Sequence, residues 1–101
     1  MTSLPISNKR PVKLGNSYYF KVPKQYISNS LIDISMKFNY YVYLKREQVT
    51  HVSNIKIMPI SNKNNVSYYL NIPIDLIRDE IIKPRSKYDI KFHSTILEEG
   101  L

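Results

Sequence analysis

Displacing the chain by 50 residues lays one half over the other, and this internal repeat limits the fold more than any other feature. Without gaps, VKLGNSYYFKVPKQYISNSLIDISMKFNYYVYL then covers NKNNVSYYLNIPIDLIRDEIIKPRSKYDIKFHS. Identities fall at Lys13/Lys63, Ser17/Ser67, Tyr18/Tyr68, Tyr19/Tyr69, Pro23/Pro73, Ile27/Ile77, Ile32/Ile82 and Lys37/Lys87. That is eight in 33 positions, where about two are expected by chance. Apolar also falls on apolar at Phe20/Leu70, Val22/Ile72, Tyr26/Leu76, Leu31/Ile81, Phe38/Tyr88 and Val42/Phe92. A unit of about 45 residues exposes too much apolar surface to stand alone, so two units are expected to share one core.

Each unit has a local reading. Tyr19-Phe20-Lys21-Val22 alternates polar and apolar, and Tyr69-Leu70-Asn71-Ile72 does so in the same phase. Phe20, Val22, Leu70 and Ile72 therefore face a core, while Tyr19, Lys21, Tyr69 and Asn71 face out. Pro23 and Pro73 cannot donate to a ladder and suit the first position of a helix. That helix is short, with Ile27 and Leu31, then Ile77 and Ile81, as its apolar stripe. Strands follow with Phe38, Tyr40, Val42 and Leu44 on one face, matched by Tyr88, Ile90 and Phe92. Pro84 suits the turn before the second of these. QVTHV and NIKIMPI read as two further strands between the copies.

The expectation is a mostly β chain with short helices (α+β), one domain over residues 1–101 built from two β-β-α-β-β repeats. The repeats span about 10–52 and about 54–97, behind a basic N-terminal arm over residues 1–9.

Composition narrows the function. The chain has no cysteine, which excludes disulfides, thiolate zinc sites and a cysteine nucleophile. No apolar run is long enough to span a bilayer, which predicts a soluble cytoplasmic protein with no membrane partner. The net charge is +7, and it is uneven: residues 1–50 carry eight bases and two acids, the rest seven bases and six acids. A polyanionic partner is favoured, with its contacts mainly in the first half. His51 and His93 lack companion ligands, and Asp75, Asp79 and Glu80 read as a solvated helix face. With only Gly15 and Gly100 there is no glycine-rich phosphate loop. No catalytic constellation, metal site or cofactor is predicted, and an enzyme is not expected.

The stretch KLGNSYYFKVPK, residues 13–24, resembles the signature of the AbrB/MazE (SpoVT-AbrB) swapped-hairpin family. That signature runs basic, apolar, Gly-Asn-Ser, two variable positions, aliphatic, basic, aliphatic, proline. Here these are Lys13, Leu14, Gly15-Asn16-Ser17, Tyr18-Tyr19, Phe20, Lys21, Val22 and Pro23. NIPIDLIRDEIIKPRSKYDIKF resembles the other half of the pattern through Ile72-Pro73, Lys83-Pro84, Lys87, Asp89 and Ile90. The resemblance covers most of residues 12–93. It implies a swapped-hairpin β-barrel, here an intrachain pseudo-dimer, that binds double-stranded DNA and regulates transcription.

The resemblance also implies site residues. Lys13 and Lys21 take the family's basic positions and Asn16-Ser17 the turn near the groove, where lysines reach phosphate or guanine and an Asn can pair with adenine. Tyr19 shares the face of Lys21, and Lys9 and Arg10 add phosphate contacts from the arm. In the second copy Lys63 and Tyr69 remain. Asn64-Asn65 replaces Leu-Gly, Val66 replaces the Asn, Asn71 stands where Lys21 does, and Arg85-Ser86 replaces Gly-Asp. DNA is therefore expected to be gripped unequally. Two alternatives stay open: an antitoxin-type regulator, whose expected acidic extension is replaced by the short STILEEGL, and a barrel repurposed for a protein partner, as a viral or plasmid inhibitor. A homodimer of pseudo-dimers is left open, as is location on the nucleoid or, for a viral chain, in host cytoplasm.

Overall fold

The computed structural model describes residues 4–94; the first three residues of the expected arm, the end of the second repeat and most of STILEEGL lie outside the described residues. Seven strands form: β1 (Leu4–Lys9), β2 (Val12–Leu14), β3 (Ser17–Val22), β4 (Lys37–Tyr43), β5 (Val49–Asn62), β6 (Asn65–Ile72) and β7 (Tyr88–Ser94). Two single-turn helices, α1 (Lys24–Ser28) and α2 (Ile74–Arg78), follow β3 and β6. All strand pairs are antiparallel, in the order β1-β7-β4-β5-β6-β3-β2. The sheet curls into a half-barrel because β5 serves both of its halves. Residues 49–56 pair with β4, and residues 57–62 pair with β6.

The alternation read from sequence is what packs this core. Phe20, Val22, Leu70 and Ile72 are buried, as are Phe38, Tyr40, Val42, Ile90 and Phe92. Aromatic edges interlock among them: Phe20 meets Tyr40 at 6.1 Å between ring centroids, and Phe38 meets Phe92 at 5.8 Å. Tyr40 crosses the core to donate its hydroxyl to the Asn71 carbonyl at 2.6 Å, tying the two halves of the sheet together. Burial raises the pKa of that phenol and keeps it a donor.

The ladders carry the repeat. Phe20 stands opposite Leu70 in the β3–β6 pair, and Tyr41 opposite Lys91 in the β4–β7 pair. Both partnerships join residues 50 apart, so exchanging the two copies maps each ladder onto itself. The opening strands obey a different offset. Ile6 faces Ile90 while Val52 faces Tyr40, so β1 maps onto β5 at 46 residues. Asn8 and Asn54 mark the same correspondence, both left-handed at φ 57° and 63°. Each sits in a bulge whose N–H is held by a side chain of the neighbouring strand: Asn8 donates to Asp89 Oδ1 and Asn54 to Asn39 Oδ1, both at 2.9 Å.

Four expectations change. Residues 4–9, predicted as an arm, are an edge strand, because Ile6 buries against Ile90 and Phe92 faces Leu4. QVTHV and NIKIMPI are one continuous strand rather than two. Pro59 is tolerated within it because residues 57–62 have a neighbour on one side only. Pro23 and Pro73 are the N-caps of their helices, one position earlier than predicted. The helical stripe is also shorter. Ser30 and Glu80 adopt φ 60° and turn the chain, so Leu31 and Ile81 point outward at 51% and 40% exposure while Ile32 and Ile82 are buried. The turn at Lys83–Ser86 forms as predicted around Pro84, with Ser86 N–H on the Lys83 carbonyl at 3.0 Å. Its counterpart uses Asp33, whose carboxylate accepts from the Ser35 hydroxyl and N–H; those two bonds, the hydroxyl's first, hold its pKa below the usual carboxylate range.

The two hairpin turns differ in strain. Each has two central residues, Gly15-Asn16 and Lys63-Asn64, and in each the first is left-handed, at φ 63° and 56°. Glycine takes that conformation freely, whereas an L side chain costs about 1–2 kcal/mol. No atom lies within 4 Å of a Cβ built on Gly15, so the cost of adding one is backbone strain alone. Gly15→Ala is expected to destabilise by about 1 kcal/mol and Lys63→Gly to stabilise by a similar amount, read as opposite shifts of the urea midpoint. Equal shifts of one sign would contradict this turn geometry.

Candidate nucleic-acid interface

Four strand segments, β2, β3, β6 and residues 57–62 of β5, lie side by side, and alternation sorts their residues to two faces. Opposite residues in a ladder share a face. Lys21 lies opposite Tyr69, and Tyr69 opposite Met58; Asn71 lies opposite Tyr19, and Tyr19 opposite Val12. These two rows flank the Phe20/Leu70 pair on the outer side of the sheet. Across that centre the Tyr19 and Tyr69 rings meet edge to face at 5.9 Å and 62°. Both tyrosines are half-buried and Lys21 is exposed.

Charge distinguishes this face. No aspartate or glutamate occurs anywhere in β2, β3, β5, β6 or the two turns that join them. Among the described residues, carboxylates stand at Asp33, Glu47 and Asp89 and on or beside α2, where Asp75 pairs with Arg78 at 3.2 Å in full view of solvent. A cation on the hairpin face is thus not neutralised within its own half of the sheet, and it is available to an anionic partner.

The ten candidate residues do not all gather there. Tyr19, Lys21, Tyr69 and Asn71 form the centre of the face, Ser17 continues it, and Asn16 lies exposed in the turn beside it. Lys13 belongs to the other face. It stands opposite Tyr18, which packs toward the core, and its ammonium lies 6.0 Å from the Tyr18 ring centroid. Lys63 is not its counterpart, because Lys63 occupies a turn while Pro59 stands opposite Tyr68 as Lys13 stands opposite Tyr18. Lys9 and Arg10 close the β1 edge, with Lys9 opposite Tyr88 on β7. The ladder adds residues that the ungapped alignment hides: Met58, Ile60, Asn62 and Asn65 share the outer face with Tyr69. Period-two alternation running back from Tyr69 through Ser67 to Asn65 is the signal that finds them.

A second aromatic and basic surface covers the outer side of the other half-sheet. There Tyr41 and His51 stack at 4.6 Å, Lys91 reaches over the Tyr43 ring at 5.8 Å, and Lys37 faces Lys56. Asp89 lies in the same half-sheet, so this surface is of mixed sign. No group of three or more metal-ligating side chains occurs among the described residues, and no helix among them is long and apolar enough to cross a membrane.

No protein-family model, no curated protein and no solved structure matches this chain.

Proposed function

We propose that the chain is a double-stranded DNA-binding regulator of transcription, a single-chain pseudo-dimer of the swapped-hairpin AbrB/MazE kind that lays the outer face of its two hairpins on DNA. The observation that carries this reading is the four-stranded face without a carboxylate, with Lys21, Tyr19, Tyr69 and Asn71 arranged about the Phe20/Leu70 pair. Lysine supplies the phosphate contact, tyrosine packs on sugar or donates to phosphate, and the asparagine offers an amide to a base edge. The copy-exchanging registers at Phe20/Leu70 and Tyr41/Lys91 support the pseudo-dimer. The alternative of a barrel kept for a protein partner draws support from Pro59 and Asn71 standing where Lys13 and Lys21 stand in the first hairpin.

Affinity for duplex DNA over a salt series tests the reading. With four or five phosphates contacted, log K against log[salt] is expected to slope at about −4. Lys21→Ala should flatten that slope by about one, and Lys13→Ala, on the other face, by less. Absent or salt-insensitive binding would overturn the proposal in favour of a protein partner.

A further inference from the structure

The two hairpins overhang their shared sheet by different lengths. At one end the last β3–β6 pair is Tyr18 with Ile72, and only Leu14 with Ser17 projects beyond it before the Gly15-Asn16 turn. At the other end the last shared pair is Val22 with Tyr68. Beyond it project three pairs, Ile60 with Ser67, Ser61 with Val66 and Asn62 with Asn65, before the Lys63-Asn64 turn. The second hairpin therefore reaches about 7 Å further, from two extra pairs at about 3.4 Å each. A three-pair ribbon carries the outer-face pair Asn62/Asn65 about 10 Å beyond the shared sheet, and a B-DNA major groove is wide enough to admit two strands laid face-on. The one-pair overhang of the first hairpin carries only Leu14 and Ser17 past the shared sheet.

The chemistry of the longer overhang is that of a base reader. Asn62 and Asn65 stand opposite each other on the outer face, in phase with Tyr69, and Asn64 and Lys63 complete an exposed tip. None of these three amides makes a side-chain hydrogen bond among the described residues. An unengaged Asn amide matches the N6 donor and N7 acceptor of adenine, and an unpaired tip with no carboxylate can approach the phosphates that wall the groove.

We propose that the tip of the β5–β6 hairpin enters the major groove and reads adenine through Asn62 and Asn65, so that this hairpin sets sequence preference while Lys21 anchors to the backbone. This rests on the DNA-binding reading above. It also reverses the weighting that the lysine-rich first hairpin suggests, giving the second copy the specificity.

Selection from a pool of randomised duplexes tests it, with the wild type, Asn62→Ala/Asn65→Ala and Asn16→Ala compared at one salt concentration, and with salt slopes measured on the selected duplex. The wild type is expected to enrich adenines at one side of its site. The double variant should lose that preference by about tenfold or more in the ratio of selected to scrambled duplex, with its salt slope unchanged. Asn16→Ala should keep the preference. Retained preference in the double variant, a preference abolished only by Asn16→Ala, a wild type that binds every duplex alike, or a slope that falls together with the preference would each overturn the assignment to base reading at this tip. A wild type that binds no duplex would instead overturn the DNA reading on which it rests. Circular dichroism melts of the variants separate these outcomes from misfolding.

Discussion

Phe20→Ala is expected to remove about 3–5 kcal/mol of stability, the range for emptying a buried aromatic site. Phe20 is fully buried, stands opposite Leu70 where the two copies meet, and contacts the rings of Tyr40 at 6.1 Å and Tyr88 at 6.4 Å. Its neighbours come from β4, β6 and β7, so a cavity there is bounded by three different strands and no one of them can move in to fill it. For a domain of this size each kcal/mol corresponds to about 4–8 °C, which places the melting point about 12–40 °C lower. Against a total stability of about 5–15 kcal/mol, the substitution removes at least about a fifth of what holds the chain folded. Leu31→Ala, at a side chain 51% exposed, is the matched control and is expected to shift stability by no more than about 0.5 kcal/mol. Thermal melts followed by far-ultraviolet circular dichroism check both, and a Phe20→Ala loss under about 1 kcal/mol would contradict a single core shared by the two repeats.

The inward side chains of that core were legible because period two survives locally. Phe20 and Val22, Leu70 and Ile72, and Ile90 and Phe92 needed only their immediate neighbours to be assigned a face. What resisted reading depends on partners elsewhere in the chain. Asn8 and Asn54 each add a residue to a strand, and the groups that hold them, Asp89 and Asn39, lie 81 and 15 positions away. Both copies carry that bulge, and what an ungapped alignment cannot register is the two extra pairs, four residues, by which the β5–β6 hairpin exceeds the β2–β3 hairpin. The alignment therefore set Lys63 against Lys13, whereas the ladders set Pro59 there. The helix stripe failed for a similar reason: one left-handed residue, Ser30 or Glu80, exchanges which of two adjacent apolar side chains turns inward.

The shared face of the candidate residues was legible to the same degree. Tyr19, Lys21, Tyr69 and Asn71 share a face because alternation alone assigns it. The face of Lys13 depends instead on turn length. With two central residues in the turn, Leu14 pairs with Ser17 and Lys13 with the inward Tyr18. Gly-Asn flanked by alternating strands already favours a two-residue turn, so that placement was available from the sequence once the turn was counted.

Asn71→Lys should strengthen DNA binding, and this is the more demanding test of the proposed face. Asn71 and Lys21 are 50 residues apart, on the two central strands, and stand on opposite sides of the Phe20/Leu70 pair at equal distances along the ladder. If the face meets DNA about that centre, a lysine at either position meets a phosphate on one side of it. The backbone hydrogen bond at this site survives the change, because Tyr40 donates to the Asn71 carbonyl and not to its side chain. The salt slope of Asn71→Lys is expected to steepen by about one, with affinity at low salt rising several-fold. Lys21→Ala/Asn71→Lys should then return to the wild-type slope, since the cation removed from one side of the centre is replaced by one on the other. Affinity measured at four or five salt concentrations decides it. A double variant no better than Lys21→Ala would mean that the cation acts from one hairpin alone, and that the symmetry of the strands is not the symmetry of binding.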